Sequence, residues 1–117
     1  MAMETGLQGP YRLERKTIDE VIDKILPGAY AVGIPDGERF NVRLVGRSDY
    51  DIGARIKEFL GFYPQFAFAY FDTARAAFEK ECQLFHDYAP FALDSRLHPS
   101  RRAYSSWRCP RCGIFDY

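Results

Sequence analysis

Ile18, Val21, Ile22, Ile25 and Leu26 recur at the i, i+3, i+4, i+7, i+8 spacing of an amphipathic helix. Thr17-Ile18-Asp19-Glu20 at the head of that stripe predicts a capping box, with Glu20 reaching back to the Thr17 amide, and Pro27-Gly28 ends the helix. The periodicity then changes. Residues 29–34 and 40–46 read as strands joined through the turn signal Pro35-Asp36-Gly37-Glu38. A second helix is predicted over about 50–60, with Ile52, Ile56, Phe59 and Leu60 inward and Gly61 after its end. Residues 66–71 alternate aromatic rings with alanine or tyrosine and predict a third strand, and a third helix follows over about 73–88. From 89 to 117 little periodicity remains, and an irregular stretch of that length in a small domain needs a staple.

This order predicts an α/β (α+β) domain over 11–88, preceded by a flexible N-terminus at 1–10 and followed by a tail at 89–117 that packs on the same domain. At 117 residues the chain can bury one core but not two. Apolar residues make up 47% and aromatics 16%, which excludes general disorder. Lys+Arg and Asp+Glu balance at 16 each, so total charge points to neither nucleic acid nor membrane. Met1 to Gly9 is polar and acidic with no apolar run, and no stretch is long enough to span a bilayer. Three cysteines, an odd number, argue for thiol or metal chemistry over a disulfide framework. A cytoplasmic protein is expected.

The chemistry-bearing residues are unevenly placed. Every cysteine and histidine lies between Cys82 and Cys112. Cys109-Pro110-Arg111-Cys112 is a tight turn that can offer two thiolates to one ion, and Cys82 and His86, four apart on a helix, point the same way. Sulfur and imidazole donors suit structural zinc in a tetrahedron of Cys82, His86, Cys109 and Cys112. His98 is the competitor, either replacing His86 as ligand or lining a cleft as a proton donor. Such a site would tie the tail to the third helix. Between Asp94 and Cys112 the tail holds five arginines (Arg96, Arg101, Arg102, Arg108, Arg111) against one acidic residue, interleaved with Tyr104 and Trp107. Arginine with aromatics suits phosphates and unstacked bases; the plainer role is to solubilise a loop and offset thiolate charge.

Helical geometry singles out two more residues. Stepping 100° per residue places Glu81 at the centre of the stripe formed by Ala74, Ala77, Phe78, Phe85 and Tyr88. Arg55 lies beside the Ile52, Ile56 and Phe59 face of the second helix. A buried carboxylate needs a cation or strong donors. Either the two form a structural salt bridge, or they flank a cleft in which Glu81 holds a metal and Arg55 meets an anion.

Gly28-Ala29-Tyr30 opens the first strand and Leu44-Val45-Gly46 closes the second, followed by Arg55 and Glu81 on helices. This ordered set resembles the GIY-YIG nuclease domain over about 27–88. The resemblance implies a small antiparallel three-stranded sheet flanked by helices and hydrolysis of phosphodiester bonds with one divalent ion, Mg²⁺ or Mn²⁺. It implies that Tyr30 orients or activates the attacking water, Arg55 binds the scissile phosphate and Glu81 ligates the ion. Two positions depart from the pattern: Leu44 stands where the second motif has tyrosine, and Ala29 replaces an aliphatic residue of the first. Tyr70 on the neighbouring strand is the candidate to supply the missing hydroxyl. The expected function is a metal-dependent DNA endonuclease domain with a structural zinc. The alternatives are a non-catalytic nucleic-acid- or protein-binding module on the same scaffold, and a purely structural zinc module. The last predicts a salt-bridged Glu81 and no open cleft.

Overall fold

The computed structural model describes residues 5–89, 93–95 and 97–116; Arg96 of the tail lies outside them. Its elements are β1 (Gln8–Arg12), α1 (Arg15–Val21), β2 (Gly28–Asp36), β3 (Arg39–Ser48), α2 (Ile52–Lys57), β4 (Gln65–Tyr70) and α3 (Ala74–Tyr88). The sheet is antiparallel in the order β1-β4-β2-β3 and has four strands, not the expected three. The added strand begins inside the segment read as a flexible N-terminus. Gln8-Gly9-Pro10-Tyr11-Arg12 carries no alternating apolar face, and its proline is tolerated because β1 is an edge strand.

The inner strands β2 and β4 explain the layering. Tyr30, Val32, Phe66 and Phe68 join Leu13, Ile18, Ile52 and Ile56 in one cluster, which α1 and α2 cover. The opposite sheet face carries Ala29 and Ala31, whose small side chains let α3 approach with Leu84 and Tyr88. Both faces are therefore buried, and Ala29, Tyr30, Ala31 and Val32 are all at most 2% exposed.

Local signals for α2 and α3 act as their residues suggest. Asp51 accepts from the Ala54 amide and Thr73 from the Ala76 amide, so each helix starts on a capped end. The first helix differs. It starts at Arg15 with Glu14 as an uncapped N-terminal boundary, so Thr17 lies inside the helix and the expected capping box does not form. It also ends at Val21, leaving Ile25 beyond the helix and 79% exposed.

Candidate functional site

A cleft of about 520 Å³ opens beside edge strand β3. Tyr30 from β2, Arg55 from α2 and Glu81 from α3 all line it, together with Leu44, Gly46, Arg47, Asp49 and Ser100. The two helices belong to opposite layers of the sheet. They meet here because the cleft wraps the last strand, taking Leu44 and Gly46 from one face of β3 and Val45 and Arg47 from the other.

Gly46 is paired directly with Tyr30 across the β2–β3 ladder. A Cβ at position 46 would run into the Tyr30 ring, 2.5 Å from Cζ, so the glycine is what lets this ring lie across the strand. Gly46→Ala is expected to cost about 1–3 kcal/mol in urea denaturation and to displace the Tyr30 hydroxyl from Arg55. Burial pushes the Tyr30 phenol up to about 12, with the hydrogen-bonded Arg55 opposing that rise. Tyr30 therefore stays protonated at neutral pH and is suited to orient a water rather than to deprotonate it.

Glu81 is largely withdrawn from solvent, its side chain 13% exposed at the cleft, as its place in the helical stripe suggests, but its partner is not Arg55. Arg47 Nη1 donates to Glu81 Oε1 at 2.7 Å and to the Ser100 carbonyl at 2.6 Å, while Arg47 Nε donates to Asp49 at 2.8 Å. Arg55 Nη1 pairs with Glu58 at 3.2 Å on a more exposed surface. Burial raises the Glu81 carboxyl above its ordinary range, and the Arg47 guanidinium pulls it back. With Oε1 engaged, Glu81 has Oε2 to offer, which suits a hard cation that takes one protein carboxylate and fills its shell with water and substrate oxygen. Asp49 adds no second ligand, since its oxygens meet Arg47 and Arg102. Sequence reasoning missed Arg47 and Asp49; the signal was two opposite charges either side of Ser48, just after Gly46 at the end of the strand.

Leu44 lines the cleft where the second tyrosine was missed, and Tyr70 does not replace it. The Tyr70 hydroxyl lies 3.0 Å from the Asp23 amide, which donates to it, and Tyr70 is not among the cleft residues.

The second centre lies in the tail. Donor atoms of His86, His98, Cys109 and Cys112 all fall within 4.8 Å of one another and could hold a metal ion such as zinc. His86 Nε2 and Cys112 Sγ each stand 3.3 Å from His98 Nε2. A tetrahedral zinc site has ligand–ligand edges of about 3.3–3.8 Å, so these separations fit. His98 Nδ1 donates to the Pro99 carbonyl at 2.9 Å, which fixes the tautomer with the Nε2 lone pair toward the cluster. The Arg111 amide donates to Cys109 Sγ at 3.4 Å. Burial first, then His98 and Arg111, holds His86 below its usual imidazole value and keeps it neutral.

Cys82, expected as a ligand, is outside this group, and His98 takes its place without displacing His86. Cys82 is fully buried against Phe78 and Cys109. Burial and a hydrogen bond to Cys109 push its thiol up, so it remains protonated. It supports Cys109 from beneath.

The stretch between His98 and Cys109 lies along the cleft. Ser100 accepts from Arg47, Arg102 meets Asp49 at 3.5 Å, and the Arg47 guanidinium lies 5.7 Å from the Trp107 ring centroid. The described tail arginines are largely engaged within the chain: Arg101 with the Trp107 carbonyl, Arg108 with Asp116 and Arg111 with Asp87. They therefore form part of the tail's own scaffold. Comparisons with protein-family profiles, curated proteins and solved structures found no match. Among the described residues no helix is long and apolar enough to cross a membrane.

Proposed function

We propose that the chain is a GIY-YIG-like, Mg²⁺-dependent endonuclease domain acting on DNA in the cytoplasm, with a structural zinc in its tail. The observation that carries this reading is the convergence of Tyr30, Arg55 and Glu81, from three separate elements, on one open cleft. The divalent ion, when bound, supplies charge stabilisation at the phosphate oxygens. Glu81 Oε2 would hold it, and Arg55 would meet a non-bridging phosphate oxygen. Tyr30, protonated, orients the attacking water. Hydrolysis joins the water oxygen to phosphorus, breaks one phosphorus–oxygen ester bond and releases the leaving oxygen as a hydroxyl.

The Glu81–Arg47 ion pair and Leu44 favour a second reading, a non-catalytic binding module on the same scaffold. A purely structural zinc module is less well supported, because the salt bridge coexists with an open cleft. Nicking of supercoiled plasmid in Mg²⁺ separates these readings. Wild type is expected to nick and Glu81→Ala to lose at least about a hundredfold in rate. No cleavage by wild type sinks the enzyme reading, and equal cleavage by both assigns the activity to a contaminant.

A further inference from the structure

Beside the cleft lies a second concavity of about 400 Å³, lined by Leu44, Glu58, Phe59, Phe62, Tyr63 and Asp94. Leu44 and Phe59 wall both spaces, so the two are neighbours across one partition. We propose that this pocket receives one unpaired nucleobase of the strand whose phosphate occupies the Arg55 cleft. This rests on the nuclease reading of that cleft and names the class of substrate it takes, nucleic acid with an unpaired nucleotide.

The lining chemistry selects the occupant. Among the described residues the pocket is lined by two carboxylates and no basic side chain, so an anionic phosphate is disfavoured there. What it offers instead is flat apolar surface. Tyr30, Phe59 and Tyr63 form a row leading from cleft to pocket, with ring centroids 5.4 Å and 6.2 Å apart. Phe62 is held out on the turn after Gly61, whose φ is 86°, and is 76% exposed. A large aromatic ring presented to solvent beside a recess is a stacking surface.

The polar atoms are acceptors. Asp94 Oδ2 takes the Tyr63 hydroxyl at 2.6 Å and Asp94 Oδ1 takes Arg43, which fixes the carboxylate in place. Tyr63 and Arg43 together hold the Asp94 carboxyl below its ordinary value, so it is ionised at neutral pH. Glu58 Oε2 accepts from Arg55, leaving Oε1 to accept from a ligand. A planar, uncharged group with N–H donors on its edge matches this wall, and the amino-bearing bases have that character. Arg55 lines the cleft and pairs with Glu58 of the pocket wall, so a phosphate at Arg55 would stand next to a base in the pocket. A base still stacked in a duplex cannot enter a recess of this kind, so the nucleotide must be unpaired or flipped out.

The test uses fluorescence anisotropy with the zinc-loaded full chain, without Mg²⁺. Two short labelled duplexes are compared, one fully paired and one identical but for a single unpaired adenosine. Wild type is expected to bind the second about tenfold more tightly, and Phe62→Ala to reduce that ratio to about twofold or less. Equal affinity of wild type for both duplexes overturns the base pocket and leaves the nuclease reading standing. So does a ratio that Phe62→Ala does not change. Failure to bind either duplex overturns both. AMP is expected not to displace the bulged duplex at micromolar concentration; displacement there would assign the pocket to a free nucleotide and overturn the proposal.

Discussion

Cys109→Ser is expected to strip the metal from the tail and lower the thermal midpoint by at least about 10 °C. Closed thiolate–imidazole sites contribute on the order of 10 kcal/mol of metal-binding free energy, against a total of about 5–15 kcal/mol for an ordinary domain. The sheet has clusters of its own on both faces, so loss of the metal should release the tail rather than unfold the whole chain. What it undoes is the third cluster, in which Phe78, Cys82 and Cys109 pack with Trp107, Cys112 and Phe115. Trp107 is the only tryptophan, so its emission reports this step alone. A red shift on chelation, ahead of any loss of sheet signal by circular dichroism, is the expected sequence. Cys82→Ser distinguishes the ligand set. It is expected to keep one zinc per chain by elemental analysis, whereas His98→Ala and Cys112→Ser lose it. Loss of zinc in Cys82→Ser with retention in His98→Ala would restore the set expected from spacing.

Arg47→Met is expected to destabilise the chain by about 3 kcal/mol or more at neutral pH, because it leaves the buried Glu81 carboxylate without its cation. The side chains of both partners are 13% exposed, so water reaches the lost pairing only from the cleft side. The loss should depend on pH, with a sign fixed by the direction of the Glu81 shift. Burial already raises this carboxyl above its unfolded value, and Arg47 opposes that rise. Folding therefore favours the protonated acid. The stabilisation from proton uptake is fully present below the unfolded value and is lost as pH climbs through the raised folded value. Removing Arg47 raises the folded value further, so the deficit relative to wild type should be smaller at about pH 5 than at about pH 8. Urea denaturation of both proteins at each pH measures this. A deficit that is constant or grows on acidification would mean that Glu81 is not the group left unpaired. Glu81→Gln in the Arg47→Met background should recover part of the loss, since a neutral amide is cheaper to bury than a carboxylate.

Much of the fold was legible because the decisive signals were local. Thr73 caps α3, Asp51 caps α2, and a turn joins β2 to β3 within the expected Pro35-Asp36-Gly37-Glu38 signal, although it is only Gly37-Glu38, Pro35 and Asp36 continuing β2. The failures share a different cause. β1 is ordered by pairing with β4, a contact far away in sequence, and nothing in its polar residues announces it. The Thr17–Glu20 pattern satisfies the capping-box rule, yet the chain enters the helix three residues earlier, at Glu14, after leaving β1. The buried position of Glu81 followed from helical angle alone, whereas its partner did not. Arg47 reaches it only because the cleft wraps an edge strand, which depends on the strand order. The candidate metal ligands divide similarly. Cys109-x-x-Cys112 was readable as a local turn, but the choice between Cys82 and His98 was not. Cys82 packs inward against Phe78 and Cys109, whereas His86 and Cys112 each meet His98.

On the proposed function, the tail clamp and the cleft are separate centres, and each is expected to hold its own metal. Anomalous diffraction from zinc-loaded crystals soaked in Mn²⁺ and collected at both absorption edges tests this most directly. The expected result is a zinc peak enclosed by His86, His98, Cys109 and Cys112, and a distinct manganese peak beside Glu81 in the cleft. Zinc alone, with no manganese peak and the Glu81–Arg47 pair still closed, would contradict the division and leave the chain a zinc-stapled binding module.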